Sequence, residues 1–297
     1  MVYIYKKLVG TKTYFYLRAS KRKGNKVFSK DIAYLGDSVL SAKKELSKLP
    51  KYKKEIEKSY RKINLFLESN HFLELAKKQK LKQDEFLGET LYEIEACKLH
   101  YNTVFQKLDP LTQKQIMDNF VIEYSFNTTS IEGNTIELNE ARELLEEGLT
   151  PKGKTLREIY DLQNTKKVFE NLDFTKEISH ELIKKIHANL LDKIDDRKEY
   201  RTKDITVTHS RFKATPFFMI IKDIDLLIEW YNKNKSKLHS VVLASIFHHK
   251  FEKIHPFSDG NGRTGRMLMN FILMKNNYPP IIIEKKFRSE YLDALSE

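Results

Sequence analysis

The chain has 297 residues and a formal net charge of +12, from 53 Lys and Arg against 41 Asp and Glu. Its 40% hydrophobic content is enough for a sizeable core and excludes wholesale disorder. With only 10 Gly and 7 Pro, the composition favours a mainly α fold over a turn-rich β-sandwich. The single cysteine, Cys97, excludes an internal disulfide framework and a multi-cysteine zinc site.

The sequence contains no signal for a membrane or for export. No apolar run approaches the roughly 20 residues of a spanning helix, and residues 1–7 lack the apolar core of a signal peptide. We therefore expect a cytoplasmic protein without a membrane partner. The basic charge balance is typical of a nucleic-acid binder, of a site for anionic small molecules, or of a Lys-rich proteome, and composition alone does not choose among them.

The first 37 residues differ from the rest of the chain. Aromatic and β-branched runs at 2–5, 14–17 and 27–35 predict a small antiparallel β-meander of three strands. The basic residues near its second turn are Lys21, Arg22, Lys23, Lys26 and Lys30. Basic residues interleaved with tyrosines can bind nucleic acid, but lysines at a sheet edge also discourage aggregation. We favour the second interpretation and keep the first open.

Apolar residues recur every three or four positions from residue 38 onward, which predicts helices for the rest of the chain. We divide it into a helical N-terminal region, 38–110, and a further domain, 111–297. Predicted helices lie at 84–106, 111–126, 139–147, 156–171, 179–192, 222–232, 238–253 and 262–275. Asn139 and Ser179 are expected N-caps, and Pro110 suits a helix start. The alternating pattern at 205–216 predicts one β-hairpin.

The segment most informative about chemistry is 255–266, which has the sequence HPFSDGNGRTGR. It lies between two helical patterns and therefore predicts a loop that leads into a helix N-terminus. The backbone of Gly260, Asn261 and Gly262 can approach a ligand closely, and successive N–H groups there form an anion site that suits phosphate. Arg263 and Arg266 lie three residues apart on the first helical turn, so both can contact a polyphosphate.

The remaining residues of the loop have complementary chemistry. Asp259 is a hard oxygen ligand that suits Mg²⁺ beside phosphates. His255 has a side-chain pKa suited to accepting a proton near neutrality, and Phe257 is expected to anchor the loop in the core. A base, a metal ligand, a phosphate cradle and two arginines together indicate phosphoryl or nucleotidyl transfer.

The segment resembles the signature of the Fic-domain family, His-x-Phe-x-Asp/Glu-Gly-Asn-Gly-Arg-x-x-Arg, and matches every specified position. The resemblance extends from about Phe120 to the C-terminus. It implies a Fic-type helical bundle with a β-hairpin flap as the catalytic domain within 111–297. Family members often dimerise, so the resemblance also implies a possible homodimer.

A second motif lies upstream, where 128–134 has the sequence TTSIEGN. It resembles the family's inhibitory motif, Ser/Thr-x-x-x-Glu-Gly/Asn, with Thr128 and Glu132 at the defining places, and implies an inhibitory helix near 120–134. By that resemblance Glu132 pairs with Arg266. A carboxylate on this guanidinium would compete with the γ-phosphate of ATP.

The activity implied by the resemblance is autoinhibited transfer of AMP from ATP to a Tyr, Thr or Ser hydroxyl of a target protein, with possible self-modification. His255 would deprotonate the hydroxyl, Asp259 would hold Mg²⁺ or Mn²⁺, and the side chain of Asn261 would contact the α-phosphate. The predicted hairpin resembles the family's flap, which docks the target by strand pairing. The flap residues carried over are Thr206, Val207, Thr208 and His209.

Two other functions stay open from the sequence. Within the family, the same site could remove AMP from modified proteins, with Glu132 activating water. In a different class, the basic N-terminal sheet could make the chain a nucleic-acid-binding regulatory protein with an inactive Fic core, although the intact His255 and Asp259 oppose that interpretation.

Overall fold

The computed structural model describes residues 1–10, 12–206 and 212–296. The chain forms two compact units, Met1–His100 and Tyr101–Glu297. The structure is mainly α, as predicted, with one small sheet among the described residues. None of the helices formed by the described residues combines the length and the apolar character that crossing a membrane requires.

The predicted β-meander is confirmed in the first unit. It is a three-stranded antiparallel sheet in the order β1 (Val2–Val9), β2 (Lys12–Lys23), β3 (Lys26–Gly36). Its strands are longer than the apolar runs predicted, because the Lys-rich segment on either side of the Gly24 turn continues the β2–β3 pairing.

One face of the sheet packs against three helices of the same unit, α1 (Val39–Ser47), α2 (Lys53–Lys58) and α3 (Tyr60–Lys78). Helix α4 (Thr90–Thr103) follows, and the boundary between the two units lies within it. Phe15 and Leu17 of β2 join Val39 of α1 and Leu67 of α3 in one buried cluster. The predicted division at residue 37 therefore separates segments that share a core, and the compact units divide at residue 100 rather than 110.

The second unit is built from eight helices in its described residues. They are α5 (Pro110–Ile131), α6 (Leu138–Arg142), α7 (Leu156–Glu170), α8 (His180–Leu190), α9 (Ile220–Asn234), α10 (Ser240–Ile254), α11 (Asn261–Lys275) and α12 (Arg288–Ser296). Helix α11 is central: it packs against α10, α8 and α5, and twelve of its fifteen residues are buried.

The predicted helix starts are confirmed in two cases and wrong in one. Ser179 caps α8 by accepting a hydrogen bond from the N–H of Leu182, and Pro110 is the first residue of α5. Asn139 is not the cap of α6, because Glu137 precedes that helix and exchanges hydrogen bonds with Glu140 in a capping box.

The β-hairpin predicted at 205–216 is not confirmed. The described residues on its two sides, 205–206 and 212–216, are not in strands. Its central part, 207–211, lies outside the described residues. Of the four flap residues carried over, Thr206 is described and has no regular secondary structure, while Val207, Thr208 and His209 lie outside the described part.

Candidate active site

The signature loop joins α10 to α11 through two left-handed residues. His255 caps the C-terminus of α10 with φ 51°, and its N–H donates to the carbonyl of Phe251. Gly260 precedes α11 with φ 76°, a conformation that a side chain strains. An added Cβ at Gly260 would also collide with the side chain of Leu191. The chain therefore turns sharply at both ends of the loop and presents residues 255–260 beside the start of α11.

Phe257 of the loop packs into the core. Its side chain is fully buried and stacks on the imidazole of His187, with ring centroids 3.6 Å apart. Nε2 of His187 is also 2.9 Å from the carbonyl oxygen of Asp259. Burial lowers the pKa of His187 to about 4, so this ring is neutral at pH 7 and suited to packing.

The side chain of Asn261 makes hydrogen bonds to the backbone of the loop. Its Oδ1 accepts from the N–H of Phe257 at 2.9 Å and its Nδ2 donates to the carbonyl of Phe257 at 2.8 Å. The side chain is buried. These bonds occupy both ends of the amide, and they assign Asn261 to holding the loop rather than to the α-phosphate contact expected by resemblance.

The imidazole of His255 is held against the end of α10. Its Nδ1 lies 3.3 Å from the carbonyl oxygen of Glu252, so a proton on Nδ1 leaves Nε2 free to accept one. Burial lowers the pKa of His255, which keeps the imidazole neutral at pH 7. Arg201 fixes the turn by donating from Nε to the carbonyl of His255 at 2.9 Å.

Asp259 faces two guanidinium groups. Its Oδ2 is paired with Arg157 of α7, and its Oδ1 lies 3.3 Å from Nη2 of Arg263 and accepts from the N–H of Gly260 at 2.6 Å. Burial raises the pKa of this carboxyl, but Arg263 and Arg157 outweigh it and hold the pKa below its usual value. Arg263 is itself buried and paired with Asp161 of α7. The loop therefore keeps an ionised carboxylate at its centre.

Arg266 is held by the C-terminal end of α5. Its Nη2 donates to Oε1 of Glu132 at 2.7 Å and to the carbonyl of Thr128 at 2.9 Å, and its Nε donates to Oγ1 of Thr128 at 2.7 Å. Burial raises the pKa of Glu132, whereas the charge of Arg266 lowers it and prevails. Gly262 lies against the same carboxylate, because a Cβ there would overlap Oε1 of Glu132.

The other edge of Arg266 meets the C-terminal helix. Its Nη1 donates to the hydroxyl of Tyr291 at 3.1 Å, and that hydroxyl lies 2.8 Å from Nε2 of His248. Glu252 is buried beside His248, and burial raises its carboxyl pKa to about 8. The guanidinium of Arg266 is thus surrounded by polar groups from α5, α10 and α12.

The structure brings together the signature residues and the upstream motif, which are more than 120 positions apart. It also adds residues that sequence reasoning missed: Arg157, Asp161, His187 and Glu252. The three in α7 and α8 lie far from the loop in sequence and belong to no local motif. Glu252 lies three residues before His255, and its position on the apolar side of α10 was the available signal.

The loop places a histidine, a carboxylate and two arginines around a helix N-terminus, inside a helical bundle, which is the arrangement that the resemblance to the Fic signature implies. Residues 177–273 match the model of the Fic/DOC family. Over these residues the chain is similar to the Fic/DOC family.

Curated relatives align over this part of the chain. Protein adenylyltransferase fic-1 of Caenorhabditis elegans is 30% identical over 189 residues, which are 61% of this chain and 37% of that protein. Protein adenylyltransferase Fic of Culex quinquefasciatus is 33% identical over 186 residues, covering 59% of this chain and 36% of that protein. The chain thus matches little more than a third of the length of these relatives.

Solved structures share the fold. A Fic domain-containing signaling protein from Bacteroides thetaiotaomicron has a TM-score of 0.62 and 27% identity, covering 68% of this chain and 80% of that one. Residues 134–508 of C. elegans Fic-1 have a TM-score of 0.58 and 24% identity, covering 86% of this chain and 73% of that one. At that identity the second comparison supports the fold only.

The residues at the loop fit a divalent ion bound jointly with phosphates. Mg²⁺ is usually held by one or two carboxylates together with substrate phosphates rather than by a complete protein cage. Asp259 supplies one partly exposed carboxylate. Within the described ranges, no group of three or more His, Cys, Asp or Glu side chains could hold a metal ion by itself. An ion at Asp259 would therefore take most of its ligands from phosphate and water.

Proposed function

We propose that this protein transfers AMP from ATP to a hydroxyl side chain of a protein and is autoinhibited by Glu132. The observation that carries the proposal is the contact of Glu132 with Arg266 beside the His255–Gly262 loop. Curated relatives over the same region are named protein adenylyltransferases, which supports transfer rather than removal of AMP.

The transfer step assigns one role to each group. His255 accepts the proton of the target hydroxyl, whose oxygen forms a bond to the α-phosphorus of ATP. The bond between the α-phosphorus and the α–β bridging oxygen breaks, and pyrophosphate leaves with that electron pair. A divalent ion held by Asp259 would neutralise phosphate charge. The N-terminus of α11 and its arginines bind the β- and γ-phosphates.

Autoinhibition follows from competition for one guanidinium. Glu132 and Thr128 together accept three hydrogen bonds from Arg266. An ATP γ-phosphate would need the same donors, and Glu132 adds a negative charge against it. ATP therefore binds productively only when the end of α5 moves away from Arg266.

The protein substrate is proposed to dock along the segment containing Thr206, Val207, Thr208 and His209. The basis is the resemblance of this segment to the family's flap, which presents backbone groups to a target strand. Self-modification is part of the same proposal, since any accessible hydroxyl that reaches His255 can serve as the acceptor.

The test is labelling with ATP that carries a radioactive α-phosphate, in the presence of Mg²⁺ or Mn²⁺. We expect Glu132→Gly to label itself or an added protein far more strongly than the unmodified chain. Adding His255→Ala to Glu132→Gly should abolish that labelling. Background labelling by Glu132→Gly, with its fold intact by circular dichroism, would overturn the proposal.

A further inference from the structure

The excess positive charge lies almost entirely in the first compact unit. Residues 1–100 contain 23 Lys and Arg against 12 Asp and Glu, whereas residues 101–297 contain 30 against 29. Residues 1–30 contain nine Lys and Arg and no Asp or Glu. The proposed catalysis uses only the second unit, so it does not account for this charge.

The strand register shows what the sheet presents on the side away from its core. On β2, Phe15 and Leu17 are buried against the helices, so the alternate residues face the other way. Their cross-strand partners lie on the same side. We call this side the open face. Its tyrosines are Tyr3, Tyr5, Tyr14, Tyr16 and Tyr34.

These side chains form one connected aromatic and cationic surface. The ring of Tyr34 lies 5.4 Å from that of Tyr16 and 6.3 Å from that of Tyr14, centroid to centroid. The guanidinium of Arg18 lies 3.5 Å above the ring of Tyr5. Tyr34 is 52% exposed. A sheet face that only contacts water does not need aromatic side chains, so these tyrosine rings are available to stack on a ligand.

Cations lie along the β2–β3 hairpin beyond the tyrosines: by the strand register Arg22 is on the open face, and the other hairpin cations project from the opposite side of the same two strands. Lys21, Arg22 and Lys23 at the end of β2 and Lys26 and Lys30 on β3 are all exposed. The single carboxylate of residues 1–36 is Asp31, which is neutralised by Arg18 at 2.6 Å. A polyanion can therefore approach the rings and the hairpin without meeting an unpaired negative charge.

We propose that the open face binds single-stranded nucleic acid, with bases stacked on the tyrosines and phosphates bound by the hairpin cations. Stacking platforms flanked by cations are how proteins bind single strands without reading sequence. Lysines that only protect a sheet edge would account for the charge but not for the five tyrosines. A duplex hides its base faces, so it would use the cations but not the rings.

The test is fluorescence anisotropy of the full chain with a 20-nucleotide mixed-sequence single strand, as DNA and as RNA, and with the corresponding DNA duplex. We expect tighter binding to a single strand than to the duplex. Replacing two rings, in Tyr14→Ser with Tyr34→Ser, should weaken single-strand binding about tenfold or more and leave duplex binding nearly unchanged.

The cations are tested with a charge-matched control in the same unit. Lys21→Gln, Arg22→Gln and Lys23→Gln together should make the plot of log K against log salt shallower by about 2. Lys51→Gln, Lys53→Gln and Lys54→Gln together remove the same charge from exposed positions beside and within α2 and should have a much smaller effect. Circular dichroism checks that each variant is folded.

Three results would overturn the proposal: no binding of the unmodified chain to single strands, equal weakening by the two lysine-rich triples, or single-strand binding unchanged by the tyrosine substitutions. Preferential duplex binding would assign the hairpin to a DNA groove instead. None of these results bears on AMP transfer, which is measured separately by labelling.

Discussion

Nη2 of Arg266 donates to the carboxylate of Glu132 at 2.7 Å, across 134 residues of sequence. Arg266 lies on the first turns of α11, directly after the loop, and Glu132 caps the C-terminus of α5. The side chain of Arg266 is 2% exposed and that of Glu132 41% exposed. The carboxylate of Glu132 thus lies at the edge of the site, whereas the guanidinium that it contacts is buried.

The hydroxyl of Thr128 is expected to contribute less to inhibition than the carboxylate of Glu132. Thr128→Val removes one acceptor from Arg266 but leaves the Thr128 carbonyl and Glu132 in place. We expect α-phosphate labelling to rise above that of the unmodified chain and to stay below that of Glu132→Ala. Thr129→Val is the matched control, because the Thr129 hydroxyl donates to the carbonyls of Ser125 and Phe126 within α5. Equal labelling by both Thr variants would refute the role of Thr128.

The pH dependence of transfer should report a base with a lowered pKa. Burial lowers the pKa of His255 below its usual value of about 6.5. The imidazole must be deprotonated to act as a base, and it loses its proton at that lowered pKa. In the Glu132→Gly background, the labelling rate should rise with pH through a midpoint under 6.5 and be level from pH 7 to 8. The negative charge of Glu132 raises this pKa, so its removal moves the midpoint further down. A midpoint above 7 would argue against His255 as the base.

Arg157 is expected to compete with a divalent ion for Asp259. The guanidinium of Arg157 is half exposed and pairs with Oδ2 of Asp259. In the Glu132→Gly background, Arg157→Gln should lower the Mg²⁺ concentration for half-maximal labelling several-fold. The control is Arg142→Gln. It removes a guanidinium at the end of α6 that pairs with Glu146 in the following turn. An unchanged Mg²⁺ requirement with a raised KM for ATP would instead place Arg157 on the phosphates.

Asn261 is expected to matter for stability because it closes the loop. Asn261→Ala leaves the N–H and carbonyl of buried Phe257 without their partners, and unmade buried hydrogen bonds cost about 1–3 kcal/mol each. We expect a loss of roughly 2–5 kcal/mol in the free energy of unfolding, measured with urea. Asn232→Ala, at an exposed position of α9, should change it by under about 0.5 kcal/mol. Equal stability of the two variants would contradict this role.

The fold was largely predictable where local rules decide it. Periods of two and of three to four residues located the strands and helices, and the Ser179 cap and Pro110 start depend only on neighbouring residues. Asn139 failed as a cap because Glu137 and Glu140 form a better local pair two residues earlier. The shared core of the sheet and its helices was not predicted, because burial of Phe15 and Leu17 depends on helices further along the chain.

By itself the sequence determined that the chain has a basic N-terminal β-meander and a helical domain with a loop suited to binding phosphate. These features could be predicted because composition, periodicity and a contiguous motif are local properties. Only the tertiary structure showed the ion pairs of Arg157 with Asp259 and of Asp161 with Arg263. It also showed that the side chain of Asn261 hydrogen-bonds the backbone of Phe257. The two pairs with α7 depend on how that helix packs against α5 and α8, which both contact α11. Packing is governed by shape and burial over the whole domain, which no spacing along the chain encodes.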